Sequence, residues 1–250
     1  MTVVPALPNR APLLPERPAL LLDMDGTLVD IAPTPASVVV DPALPGVLRA
    51  LRGQFGDALA VVTGRQLDVV DALLGGVPYA IAAEHGAAIR HAPAGAVEYP
   101  PLPAVPAAWV ARAEQAAAAH PGVIFEHKLH GLVLHYRQVP EAGPELGAVL
   151  RAMLVGDGDQ FAVMPAHMAF ELKPRAADKG TAVMSLMARP PFAGRVPVYV
   201  GDDVTDEDGI RAAEALGGFG LRVQEHFGDA AGVRAWLAGL VVPAPERTAG

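Results

Sequence analysis

The chain has 250 residues, 52% apolar and 18% charged, a globular composition long enough for one large domain or two smaller ones. It has no cysteine, which excludes disulfides and cysteine-ligated zinc and points to a reducing cytoplasm. A formal net charge of -8 makes nucleic acid and anionic membranes poor partners, and no apolar run approaches the roughly 18–20 residues of a membrane span.

Residues 1–18 are Pro-rich, without the basic start and apolar stretch of a signal peptide, and are expected to form a poorly ordered arm. Two patterns then alternate. ALLLD (19–23), DALAVVTG (57–64) and YAIAAEHG (79–86) are apolar strands, while 45–55 and 65–75 carry apolar residues at helical spacing. Strand–helix alternation predicts a parallel sheet covered on both faces. The stretch 89–171 breaks this pattern. It opens on a hairpin around Pro-Ala-Gly, followed by a helix over about 104–119 and two strands, GVIFEHK and GLVLHYRQ, joined at a tight turn. A helix over about 142–154 and the strands QFAVMP and MAFELK complete an α+β insertion. The α/β pattern resumes with helices at 178–188, 206–216 and 229–240 and strands at 196–203 and 217–223. The expected organisation is a Rossmann-like doubly wound core, 19–88 and 172–250, carrying an inserted α+β cap, 89–171.

Four motifs fall at strand ends or helix starts. In DMDGT, Asp23 and Asp25 are two apart in an extended segment and so point the same way, past the end of a buried strand. A turn or helix-capping segment would also explain them. In VVTGR, the Thr63 hydroxyl and the N–H groups of Gly64 and Arg65 suit a phosphate oxygen, though Thr is also an ordinary helix cap. Lys179 opens a helix, on the less favourable side of the macrodipole. In GDDVTDED, Asp206 can be a helix starter, but Asp202 and Asp203 directly follow an apolar strand. Carboxylates so concentrated suit a hard cation such as Mg²⁺.

The order D-x-D-G-T, T-G-R, K, G-D-D-x-T-D resembles the haloacid dehalogenase superfamily of phosphotransferases. AEHGA, the pair FEHK and LHYR, and ELKPRAADKG look more narrowly like the trehalose-6-phosphate phosphatase family, over most of residues 19–225. That family commonly has Ser where this chain has Thr63; the hydroxyl is kept. The resemblance implies Asp23 as nucleophile, Asp25 as general acid and base, and Thr63 and Lys179 as holders of the phosphoryl oxygens. It places Mg²⁺ on Asp23, the Asp25 backbone carbonyl and Asp202, with Asp203 and Asp206 orienting its waters or Lys179. It implies binding of a phosphosugar, trehalose 6-phosphate, by Gly64, Arg65, Glu126, Lys128, Arg137 and Glu171. A solvated strand face is the plain alternative for Glu126 and Lys128, and His85 reads first as a turn residue. A cytoplasmic monomer is expected, with a trehalose-phosphate synthase as a candidate partner. Rival readings are a sucrose-phosphate or mannosyl-phosphoglycerate phosphatase, a phosphomannomutase-like transferase, and a catalytically silent partner of a synthase.

Overall fold

The computed structural model describes residues 13–155, 158–166 and 168–242. Most of the expected N-terminal arm lies outside these; residues 13–17 lead directly into the first strand, and the Arg17 carbonyl accepts from Val196 N–H at 2.9 Å.

The apolar run β1 (Pro18–Leu22) is buried at every position and sits in the middle of a seven-stranded sheet. The chain continues through α1 (Leu44–Gln54), β2 (Leu59–Val62), α2 (Leu67–Leu74) and β3 (Ala80–Ala83), stepping to one side of β1. It later returns to the other side through α5 (Lys179–Met187), β10 (Val196–Gly201), α6 (Asp206–Ala215) and β11 (Phe219–Arg222), then α7 (Val223–His226) and α8 (Ala230–Leu240). All of β11, β10, β1, β2 and β3 are parallel. The strand order therefore reverses at β1, and a crevice opens there beyond the carboxyl ends of the strands, where ligands bind in open α/β sheets. Strand alternation separates the two layers. Leu20, Leu22, Leu59, Val61, Val198 and Val200 pack with α1, α2 and α8. Leu21, Ala60, Val62, Ala82 and Tyr199 pack with α5 and α6.

One element lies elsewhere than the sequence suggests. The hairpin β4 (Ala88–Arg90) and β5 (Val97–Glu98), expected to open the insertion, extends the large sheet instead. β4 pairs antiparallel with β3, Ala83 opposite Ala88, and Ala88 and Ile89 bury against the two layers of the core. The short α7 was not anticipated, since four residues are too few to show a helical period.

The second sheet is antiparallel, in the order β6 (Ile124–His127), β7 (Leu132–His135), β9 (Ala169–Pro174), β8 (Phe161–Ala166). One face, with Phe125, Leu132, Leu134 and Leu172, packs on α3 (Ala107–Ala118) and α4 (Gly143–Met153). By alternation the other face carries Glu126, Val133, His135 and Glu171, with Glu126 and Glu171 both in register with Val133. That polar face meets the core. The Lys128 ammonium donates to the Gly64 carbonyl at 2.8 Å and the Gln66 amide to the His127 carbonyl at 3.3 Å. Leu129 N–H donates to Glu84 Oε2 at 3.1 Å, and the Arg137 guanidinium to the Ala32 carbonyl.

Candidate active site

At the crevice, Asp23 ends β1 and its N–H donates to the Val200 carbonyl at 2.9 Å, which ties it to the neighbouring strand. The Lys179 ammonium, at the start of α5, donates to Asp23 Oδ1 and Asp206 Oδ1, each at 2.7 Å. All three residues are buried. Burial alone would drive Lys179 neutral, but the charges of Asp206 and Asp23 outweigh it and hold the ammonium well above its ordinary value.

Asp206 is saturated. Tyr199 OH donates to its Oδ1 at 2.7 Å, and the N–H groups of Asp202 and Asp203 reach Oδ2 at 3.0 and 3.1 Å. With four donors besides the helix start, it orients Lys179 and the loop after β10. Asp203 spends one oxygen on Thr205, accepting from its N–H at 2.7 Å and its hydroxyl at 2.6 Å. Tyr199 was missed at the sequence level. The only signal was a lone hydroxyl in an otherwise apolar strand that ends in acids.

The donor set fits a hard divalent cation. Oxygens of Asp23, Asp202 and Asp206 lie within 4.8 Å of one another. Burial, then the charges of Asp206 and Asp203, push the Asp202 carboxyl up to about 7. Burial and Asp206 likewise raise Asp23 well above the usual range, against the pull of Lys179. Carboxylates held at such cost are those a cation relieves. Because Asp206 is fully used, Asp23 and Asp202 are the side chains left to hold the ion. Gly26 keeps that space clear. Its φ is +75°, and a Cβ there would fall 2.1 Å from Asp202 Oδ2.

Asp25 turns toward Arg65, which grips it with both arms: Nε to Oδ2 at 2.6 Å and Nη2 to Oδ1 at 2.7 Å. Thr63, at the end of β2, is buried; its hydroxyl oxygen accepts Arg65 N–H at 3.2 Å, which leaves its proton to give.

A second polar cluster lies where the two sheets meet. Glu171 Oε1 accepts from the Lys128 ammonium at 2.8 Å, and Oε2 lies 2.9 Å from His85 Nε2. Burial opposes the charge on Glu171, but Lys128 and His85 outweigh it and hold the carboxyl far below its usual range. Lys128 is raised in return, chiefly by Glu171 and Glu126 against burial. Glu126 accepts from His135 Nε2–H at 2.9 Å; this bond and the Lys128 charge overcome burial and lower its carboxyl. Glu126 and Lys128 are thus not a solvated strand face. The E-H-G turn that supplies His85 is left-handed, with φ of +47° at Glu84, +55° at His85 and +94° at Gly86. The two non-glycine residues each hold a conformation costing roughly 1–2 kcal/mol, and the side chains of both reach the second sheet.

An open, largely parallel sheet, with carboxylates and a buried lysine at its switch point and a four-stranded insertion above them, defines a haloacid dehalogenase-type phosphohydrolase. Residues 21–229 match the trehalose-phosphatase family, and the chain belongs to that family. It is 40% identical over 182 residues to a probable trehalose-phosphate phosphatase of Sinorhizobium fredii, covering 73% of this chain and 68% of that one. It is 34% identical over 185 residues to a trehalose-6-phosphate phosphatase of Escherichia coli, covering 73% and 67%. The fold matches the C-terminal domain of the Candida albicans trehalose-6-phosphate phosphatase with a TM-score of 0.70 at 22% identity, over 83% of this chain and 81% of that one.

Proposed function

We propose that this phosphoric monoester hydrolase cleaves trehalose 6-phosphate to trehalose and phosphate through an aspartyl-phosphate on Asp23. The observation that carries the reading is the Asp23–Lys179–Asp206 cluster at the switch point, facing a cap surface whose polar groups are suited to sugar hydroxyls.

One Asp23 oxygen is held by Lys179; the other attacks phosphorus, forming an O–P bond as the bond to the sugar oxygen breaks. The sugar alkoxide is a poor leaving group and takes a proton from Asp25. Asp25 next takes a proton from the water that attacks the acyl-phosphate, releasing phosphate and restoring Asp23. Arg65 occupies both Asp25 oxygens, which leaves neither free to pass a proton to the sugar oxygen. Arg65 therefore shifts from Asp25 toward the phosphoryl group on binding, joining the Thr63 hydroxyl, the Gly64 N–H and Lys179 there. Asp23, Asp202 and the Asp25 backbone carbonyl would hold Mg²⁺, which offsets the repulsion between carboxylate and phosphate. Glu126, Lys128, Arg137 and Glu171 bind the disaccharide.

The setting is a cytoplasm, consistent with the absence of cysteine. Among the described residues no helix is long and apolar enough to cross a membrane. The enzyme works as a monomer on a phosphosugar made by a trehalose-phosphate synthase, and Asp23, Asp25 and Lys179, all present, argue against a silent partner of that synthase. The test is phosphate release from a panel of phosphosugars with and without Mg²⁺. Trehalose 6-phosphate is expected to be the best substrate and excess chelator to abolish turnover. A preference for sucrose phosphate, or full turnover in chelator, overturns the substrate or the metal respectively.

A further inference from the structure

The imidazole of His85 stands between the two clusters. The backbone N–H of His85 donates to the Thr63 carbonyl at 2.9 Å, so the turn is fixed to the strand end that carries the T-G-R loop. Gly64 packs on its ring so closely that a Cβ there would fall 2.6 Å from Nε2. The ring is buried, and Nε2 meets Glu171 Oε2 at 2.9 Å. A carboxylate has no proton to give, so Nε2 carries the hydrogen and donates it. Nδ1 is also buried and has no hydrogen-bond partner among the described residues. Burial keeps the ring neutral, aided by the nearby Lys128 and Lys179 charges against the pull of Glu171.

We infer that His85 is a positioning residue for sugar recognition: by holding Glu171 Oε2 it aims Oε1, together with Lys128, at the disaccharide. This rests on the trehalose 6-phosphate reading above. Docking of the cap alone does not require it. Glu84 and Gln66 already join the same surfaces through hydrogen bonds to backbone atoms, the Leu129 N–H and the His127 carbonyl. Nor does packing alone explain it. An apolar ring would leave Glu171 Oε2 buried and unpaired, and would not leave a nitrogen orphaned on its own far side. When substrate hydroxyls compete for Lys128, Glu171 loses one of its two partners; His85 is the one that stays, because its turn belongs to the rigid sheet.

The experiment measures kcat and KM, with Mg²⁺, for trehalose 6-phosphate and for nitrophenyl phosphate, which is too small to reach the cap. The proteins are wild type, His85→Asn, His85→Gln, Glu171→Gln and the double variant His85→Asn/Glu171→Gln. Asn tolerates the left-handed backbone but is too short to reach Glu171; the Gln amide reaches the position of Nε2. The ratio of specificity constants, disaccharide over aryl ester, is expected to fall about ten- to a hundred-fold in His85→Asn, chiefly through KM. His85→Gln should restore it to within about threefold, and the double variant should lose no more than Glu171→Gln alone. An unchanged ratio in His85→Asn, equal losses on both substrates, no rescue by Gln, or fully additive losses overturns the assignment. Imidazole ¹⁵N shifts of the wild-type protein give a reading that needs no folded variant: the Nε2–H tautomer is expected, and Nδ1–H would overturn it. If wild type itself does not prefer trehalose 6-phosphate, the substrate reading fails; if it does and the variants keep the ratio, only the role of His85 fails.

Discussion

Two buried ammonium groups organise this molecule, and they are built differently. Lys179 bridges Asp23 and Asp206, all three on the core, at the ends of parallel strands and the starts of helices in one rigid layer. Lys128 bridges Glu171 and the Gly64 carbonyl, from two cap strands and one core loop. The first arrangement exists whether or not the cap is docked; the second exists only when it is. The contrast matches a division of labour. Every phosphate monoester needs the same groups around phosphorus, so these are fixed in the core. On the proposed reading, only the correct sugar completes the contacts that the cap contributes.

That comparison can be broken at either end. The largest effect is expected in the core: Asp23→Asn should lower turnover at least about a thousandfold on both substrates, because the proposed nucleophile is gone. An Asp23→Asn enzyme that retains sugar-phosphate turnover would move the chemistry elsewhere. Lys179→Met removes the cation that bridges two buried carboxylates and should cost about 3–5 kcal/mol in urea unfolding measured with chelator present. A loss under about 1 kcal/mol would mean that Asp23 and Asp206 find other partners.

Changes in the cap should spare the chemistry and reduce selectivity. Lys128→Ala and Glu126→Ala should each lower the ratio of specificity constants, trehalose 6-phosphate over nitrophenyl phosphate, about ten- to a hundred-fold. Losses that are equal on the two substrates would instead make these residues part of the phosphoryl site. Asp25→Asn separates the two regions differently. Nitrophenolate leaves without a proton, so that substrate should be slowed less than the sugar ester.

The smallest effect concerns pH. His85 has its folded value below the ordinary 6.5 or so, so the unfolded chain takes up the proton first. Stability is then full above about pH 6.5 and falls as pH drops through that value. Glu171 is held far below the usual carboxylate range, so its contribution is present above about pH 4.3 and is lost only below it. Between about pH 7 and pH 5.5 the histidine share falls, while the raised Asp202 and Asp23 carboxyls act in the opposite sense because the folded chain binds their protons first. His91, also lowered by burial, shifts in the same direction as His85. The difference in melting temperature, wild type minus His85→Gln, cancels the carboxyl contributions and should fall over that interval; a constant difference would show that His85 is not held neutral.

Much of the site was legible because its signals are local. Asp23, Thr63 and Asp202 each follow an apolar strand, and Lys179 opens a helix. A sheet whose strands alternate with helices must bring those ends to one edge. The periods of two and 3.6 residues likewise placed nearly every strand and helix, because burial on one face repeats along the chain. What failed was whatever depended on a partner distant in sequence. The hairpin at 88–98 reads equally well as cap or core, and only its pairing with β3 made it core.

Partnership among the charges was likewise decided in three dimensions. Side chains such as Asp25 and Arg65 can each take several partners, and sequence spacing says nothing of which they take across 40 residues. By spacing Asp206 read as a helix starter and the resemblance alone set it beside Lys179, where it lies; its further bonds to Tyr199 and the loop after β10 came only with the fold. His85 read as a turn residue, and the left-handed turn is there. That the same ring also meets Glu171, 86 residues further on, follows from where the cap docks. The sequence by itself determined the layers, the strand ends and the class of chemistry, since these follow from local burial and hydrogen-bonding patterns. The tertiary structure alone decided which buried charges share a proton donor, because that choice depends on distances between elements that local patterns do not encode.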